Sequence, residues 1–363
     1  MQSHVLIATR KGLFECRRSA DGWQLDQQSF PGDPVSMVLH DRRDGSLYAA
    51  LDLGHFGVKL HRRDRGSTNW TEIAVPVYPP QPADSPDDIK WQLQLIWSLE
   101  AGGADQPGVL WAGTLPGGLF RSEDRGTSWQ LIRSLWDVPQ RREWFGGGYD
   151  AAGIHSISVD PRNSSHVQVG ISCGGAWITR DDGLSWSLSA RGMTANYMPP
   201  ERTGDQEVQD PHRIVRCAAA PDVFWCQHHN GIWRSDDDGA LWQQVRSPDL
   251  PSDFGFAVAV HPNDPQTAWF VPAKADVNRV PVDAALAVTR TRDGGKTFQR
   301  LSDGLPQKDC YDLVYRHGLA LADDGATLVM GSTTGGLWIS ENAGDSWAMV
   351  SHTLPPIYAV RFM

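Results

Sequence analysis

One pattern recurs along this chain and restricts what it can fold into. It reads Ser/Thr-x-Asp-x-Gly-x-x-Trp/Phe, and it stands complete in "SEDRGTSW" (122–129), "TRDDGLSW" (179–186), "SDDDGALW" (235–242) and "TRDGGKTF" (291–298). Asn342 replaces the aspartate in "SENAGDSW" (340–347), and "RDRGSTNW", ending at Trp70, carries one extra residue. The acidic or amide positions 64, 124, 181, 237, 293 and 342 are 60, 57, 56, 56 and 49 residues apart. A fixed period of this length marks a repeat architecture. Within each copy, Asp and Ser/Thr side chains can bond neighbouring amides and hold a turn. Gly supplies a positive φ at little steric cost, and the aromatic can pack between neighbouring units.

The flanks of the turns complete the unit. "VLWAGTLPGGLFRSEDRGTSWQLI" (109–132) and "VFWCQHHNGIWRSDDDGALWQQV" (223–245) each read as strand, Gly-containing loop, strand, polar turn and strand. Upstream lies a further apolar run: "PVSMVLH", "LIWSLEA", "IHSISVD", "RIVRCAA", "FAVAVHP" or "YDLVYRH", the last at 311–317. Each unit is therefore expected to be a four-stranded antiparallel sheet. The N-terminal unit, with a shortened turn ending at Trp23, lacks such a run, and the chain ends in "IYAVRFM". Placing residues 357–362 beside residues 5–25 supplies the missing strand and protects exposed edges. The expected fold is all-β, a seven-bladed β-propeller filling residues 1–363 as a single domain, closed by the C-terminal strand in the N-terminal blade. The turns resemble the Asp-box, or BNR repeat, of sialidases, sortilin-type receptors, xyloglucanases and photosystem II assembly factors. That resemblance implies the propeller and leaves the activity open.

Composition removes several classes of partner. The formal charge is −10, and no Lys/Arg run offers a basic face, so no nucleic-acid role is expected. No window approaches the ~18 apolar residues of a membrane span. "MQSHVLIATRKGLF" enters a strand-like run without a signal-peptide pattern, which predicts a cytoplasmic protein. The cysteines at 16, 173, 217, 226 and 310 are scattered without a CxxC pair, and reduced buried thiols are expected.

Strand order sorts the loops onto two faces. The Asp-boxes fall on one. The loops between second and third strands, and those between blades, fall on the other. That second face receives His155, Asp210, His212 and the adjacent pair His228 and His229, of which strand alternation directs only one inward. It also receives Asp150, Phe254, Phe256, Tyr311, Tyr358, and Asp276 with Arg279 from a long insertion. Several of these loops exceed ~12–15 residues, a length usual for functional or disordered segments, and an axial pocket is the expected ligand site. The catalytic candidates are His155, His212, His228, Arg279 and Tyr311. Asp150, Asp210, His229, Asp276, Phe254, Phe256 and Tyr358 are candidates for substrate binding. His155, His212 and His228 could instead hold a divalent metal such as Zn, Mn or Ca, because imidazoles bind such ions beside an open position.

"GIHSISVDPR", "QDPHRIV", "QHHNGIWRSDDDG" and "FGFAVAVHPNDP" make the whole chain similar to single-domain bacterial BNR-repeat glycosyl hydrolase or exo-α-sialidase-like proteins. The resemblance implies the propeller, while the histidine cluster with Arg279 and Tyr311 points to an enzyme on a small polar or sugar-derived substrate, a glycosidase or lyase. Sialidase chemistry itself is not expected. The nearest counterpart of the Arg-Ile-Pro segment of sialidases is Arg213-Ile214-Val215, in the fifth blade, and no pair of facing carboxylates stands out among Asp150, Asp210, Asp276 and Asp309. A non-catalytic assembly scaffold and a small-ligand sensor are the rival expectations.

Overall fold

The computed structural model describes residues 2–85 and 87–363. They form seven four-stranded antiparallel sheets, the blades of a seven-bladed β-propeller. Two compact units divide the chain: Leu39–Pro211, and the N-terminal stretch to Val38 together with His212–Met363. No helix of the described residues is long and apolar enough to cross a membrane. All five cysteines are buried thiols.

In the Leu39–Pro211 unit, one blade comprises Leu95–Ala101, Leu110–Leu115, Leu119–Ser122 and Gln130–Leu131. The next comprises Ile154–Asp160, Asn163–Ile171, Gly175–Thr179 and Ser187–Leu188. Their packed faces share one core, including Trp111, Ile154, Val167, Val169 and Trp177. Second strands such as Leu110–Leu115 are buried along their whole length, which explains continuous apolar runs where a one-sided sheet would alternate.

In the other unit the C-terminal strand Ile357–Phe362 pairs antiparallel with His4–Thr9, Val5 opposite Phe362 and Ala8 opposite Ala359. Gly12–Ser19 and Gly22–Ser29 complete that sheet. Val5, Ile7, Ile357, Val360 and Phe362 are buried in one cluster with Val329 and Leu337 of the preceding blade. The blade closure expected from the sequence is present.

The turns share one wiring. In the copy at 179–186 the Thr179 hydroxyl donates to Asp181 Oδ1 at 2.7 Å and accepts the Gly183 amide at 2.9 Å. The Ser185 amide donates to the same carboxylate oxygen at 2.9 Å. Equivalent bonds recur around Asp124, Asp237, Asp293 and Asn342. The residue before the glycine is also left-handed, with φ of 61° at Arg125, 60° at Asp182 and 61° at Asp238, so the turn strains two positions where the pattern marks one. The early copy departs from this wiring. Arg62 stands where Ser/Thr belongs, and Asp64 pairs with Arg62 and Arg125 instead.

Two features of the first strands differ from the expectation. Several carry a bulge near their start: Trp97, His155 and Tyr358 are each skipped by the ladder, and Phe256-Ala257 together face Val271. A bulge re-aims a side chain and is common beside functional sites. The second difference is at "YDLVYRH". The ladder strand begins only at Leu319, running Leu319–Leu321, after a turn in which the Gly318 amide donates to the Tyr315 carbonyl at 2.6 Å. Upstream, Asp312 accepts the hydroxyls of Ser332 and Thr334, and His317 bridges Ala359 instead of its own blade. These bonds hold residues 312–317 off the ladder.

Candidate functional site

The His212–Met363 stretch brings three segments around one phenylalanine. His212 lies in the first strand Pro211–Arg216 and stacks on Phe256, with centroids 4.4 Å apart and planes within 15°. Its Nδ1 lies 2.6 Å from the Gly255 carbonyl oxygen. A carbonyl can only accept, so Nδ1 carries the proton and the ring lone pair is on Nε2. Gly255 is required at this point: a Cβ there would come within 2.6 Å of the Val271 carbonyl oxygen.

The histidine pair separates as the hairpin dictates. The ladder ends with His228 opposite Gly231, leaving His229-Asn230 as the turn. His228 is fully buried, its Nδ1 accepts the Asn230 amide at 2.9 Å, and its ring meets Trp233 edge-on at 6.1 Å. It is built into the hairpin. His229 faces His212 instead, at 5.6 Å between centroids, and also meets Phe254 at 5.9 Å. Phe254 packs edge-on against Phe256 at 5.3 Å.

The insertion after Pro272 adds charge. Arg279 Nη2 pairs with Asp276 Oδ1 at 2.6 Å, and Asp276 Oδ2 is 3.9 Å from His229 Nε2. Burial pulls the Arg279 guanidinium down, but hydrogen bonds to Asp276 and Tyr315 outweigh it and raise its pKa. The Arg279 and Arg316 guanidinium carbons each lie 5.6 Å from the Phe256 centroid, and Tyr315 meets that ring edge-on at 4.8 Å. Tyr315 and Arg316 were not among the sequence candidates. They arrive because the strand starts late, whereas Tyr311, the expected tyrosine, is 62% exposed. Tyr358 is 38% exposed and sits at its own bulge.

The remaining candidates belong to the Leu39–Pro211 unit. His155 is fully buried, with Nδ1 3.0 Å from Ser156 Oγ and its ring edge-on to Trp97 at 5.4 Å. Trp97 in turn meets Tyr149 at 5.1 Å. Asp150 is exposed on the following loop. Asp210 is buried and accepts Ser172 Oγ and the Cys173 amide, each at 3.1 Å. A side chain at Gly147 would meet Cys173 Sγ and Asp210 Oδ2, so the glycine loop lies close over this carboxylate.

The cluster around Phe256 has the parts of a polar-ligand site: an imidazole in a fixed tautomer, a second imidazole, two guanidiniums, a phenol and an aromatic floor. It can hold a cation on two imidazoles or grip hydroxyl and carboxylate groups.

No family model matches the chain. A probable oligoxyloglucan-reducing end-specific xyloglucanase of Neosartorya fischeri is 25% identical over 269 residues, covering 67% of this chain and 30% of that protein. This chain spans less than a third of the length of that relative. Among solved structures, the GH74 xyloglucanase of Xanthomonas campestris aligns over 97% of this chain and 53% of its own, with a TM-score of 0.67 and 18% identity. YCF48, solved bound to D1 peptide, aligns over 94% of this chain and 88% of its own, with a TM-score of 0.54 and 14% identity. At these identities the structural matches establish a shared fold, which both a xyloglucanase and a peptide-bound protein possess.

Proposed function

We propose that the protein is a carbohydrate-active hydrolase whose substrate binds at the Phe256 cluster. The observation that carries this reading is His212, held by the Gly255 carbonyl in one tautomer and stacked on Phe256 beside His229. An imidazole fixed in this way is prepared for general base or acid work. Arg279 and Arg316 would grip hydroxyl or carboxylate groups, with Asp276 orienting Arg279 and Tyr315 adding a hydroxyl. His155 we assign to a subsite of its own beside Trp97. A divalent cation on His212 and His229 is the alternative use of the same imidazoles, and lyase action on an acidic sugar is the alternative chemistry. We also read the recurring turns as Asp-boxes and place the protein, acting in the cytoplasm, beside exo-α-sialidase-like chains in architecture. Xyloglucan-type oligosaccharides are the first substrates to try, because the sequence relatives are xyloglucanases.

A second reading, a non-catalytic peptide-binding scaffold, is favoured by the fold shared with YCF48, solved bound to D1 peptide, which aligns over 94% of this chain. One assay separates the two. Release of reducing ends from xyloglucan and uronate-containing oligosaccharides should be measured for wild type and His212→Gln. We expect turnover that falls by about 10²–10⁴-fold in the variant. No turnover by the wild type, with or without added Zn, Mn or Ca, sinks the enzyme reading and leaves the scaffold.

A further inference from the structure

The Gly255 carbonyl does more than orient His212. By accepting from Nδ1 at 2.6 Å it leaves the ring a single lone pair, at Nε2. His229 faces that ring, and one ring nitrogen of each lies within 4.8 Å of the other. A backbone carbonyl on the far nitrogen is the usual outer contact of a metal-bound imidazole, because it fixes the tautomer and makes the ligating nitrogen more basic.

The surroundings hold the pair still and leave it reachable. His212 is buried and stacked on Phe256, and Phe254 meets His212 and His229 edge-on at 5.7 and 5.9 Å. The His229 side chain is 20% exposed, so an ion can arrive from solvent on that side. Asp276 Oδ2, 3.9 Å from His229 Nε2, is the carboxylate beside the second ring.

The donor set selects the ion. Imidazole nitrogens suit zinc-class ions, whereas calcium and magnesium take oxygen ligands and manganese binds such nitrogens more weakly. Charge sets the strength. The Arg279 and Arg316 guanidiniums over Phe256 oppose a dication, although Asp276 offsets Arg279 at 2.6 Å. Two protein nitrogens working against that repulsion fit an ion that exchanges with solvent, unlike the permanently held ion of a closed structural site.

We infer that a zinc-class ion binds reversibly between His212 Nε2 and His229 and silences the site. One lone pair cannot hold the ion and also take up a proton, so occupancy and acid–base use of His212 exclude each other. The ion site stands on the geometry of the two rings alone. Its silencing effect rests on the hydrolase reading above.

The test uses the full chain, without a histidine tag and stripped with EDTA, in calorimetric titrations with Zn²⁺, Ca²⁺ and Mg²⁺. The wild type should bind one Zn²⁺ per chain and neither of the other ions. His212→Gln and His229→Gln should each weaken zinc binding by about tenfold or more, while His352→Gln, at an exposed position, should bind as the wild type does. In the reducing-end assay zinc should lower wild-type turnover, and EDTA should restore it. No zinc binding, equal binding by either site variant, or binding of calcium as tight as zinc overturns the site. Zinc that raises turnover overturns the silencing. Zinc bound by the wild type and lost in both variants, with no hydrolysis under any condition, would keep the ion site and remove the hydrolase reading. Hydrolysis that is lost in His212→Gln, by a wild type that binds no zinc, would do the reverse.

Discussion

Replacing Thr179 by valine keeps the shape of the side chain and removes only its hydroxyl. That hydroxyl is buried, accepts the Gly183 amide at 2.9 Å and the Asp181 amide at 3.3 Å, and donates to Asp181 Oδ1 at 2.7 Å. Valine leaves the Gly183 N–H buried without an acceptor, which costs about 1–3 kcal/mol. Loss of the hydrogen bond to a carboxylate adds a further cost of about 1 kcal/mol, and the new buried methyl returns about 0.8 kcal/mol. The net expectation is a destabilisation of about 2 kcal/mol. Urea unfolding followed by tryptophan fluorescence measures it, provided the slope with denaturant is unchanged. Thr179→Ser should lose less than about 1 kcal/mol, because only a methyl is removed. Serine already serves in the same role at Ser122, Ser235 and Ser340. Since Thr179 and Asp181 share a bond, Thr179→Val combined with Asp181→Ala should cost less than the two single changes added together. A valine variant as stable as wild type, or strict additivity in the double variant, refutes the wiring as the source of turn stability.

Acid should weaken these turns in a defined window. Side-chain bonds from Ser185 and Thr179, with the Ser185 amide, lower Asp181 to about 2 from the ordinary 3.8, and the Thr297 amide and hydroxyl lower Asp293 likewise to about 2. A depressed folded-state pKa contributes stability that is fully present above pH ~4 and is lost as pH falls towards ~2. Thr179→Val, which removes one of those bonds, should move the onset of acid unfolding to higher pH by circular dichroism. Deleting residues 357–363 should strip the partner of His4–Thr9 and expose the edge of that strand, giving aggregates by size-exclusion chromatography; a soluble monomer would contradict the closure. Gly255→Ala should leave a folded protein but displace the carbonyl that holds His212, lowering activity by about tenfold to 10²-fold in the assay used for His212→Gln. Unchanged activity would show that the Gly255 contact does not position the imidazole.

The fold was legible because its signal is repeated and local. Each Ser/Thr-x-Asp-x-Gly-x-x-aromatic turn is decided by bonds among residues at most four apart in sequence, and the copies reinforce one another. The final strand was legible for a related reason: the N-terminal blade lacked one strand and the C-terminus had one to spare. The site was less legible because its residues are aimed by departures from the repeat. Trp97, His155, Phe256 and Tyr358 stand at bulges, and a bulge depends on how two strands pair, which no single strand declares. Of the pair at 228–229, alternation required that one turn away, but the choice fell to the two-residue hairpin loop that claims His228 for the Asn230 amide.

Tyr311 and Tyr315 show the limit most clearly. Both lie in "YDLVYRH", whose apolar periodicity reads as an ordinary first strand starting at the tyrosine. Asp312 overrides that reading, because its carboxylate is taken by the hydroxyls of Ser332 and Thr334, some twenty residues away, and the ladder waits until Leu319. The delay leaves Tyr311 in solvent and carries Tyr315 and Arg316 to the Phe256 ring. A usable signal was present in the pairing of an aspartate inside an apolar run with "STTGG" in the facing loop, since a carboxylate there needs donors. Asp312→Asn, which keeps the shape but weakens the acceptor, should therefore loosen Tyr315 and Arg316 as well as the loop. Its effect on substrate affinity should exceed its effect on stability, measured by titration and urea unfolding on the same preparation. A variant that loses stability while binding as wild type would place Asp312 in the scaffold alone.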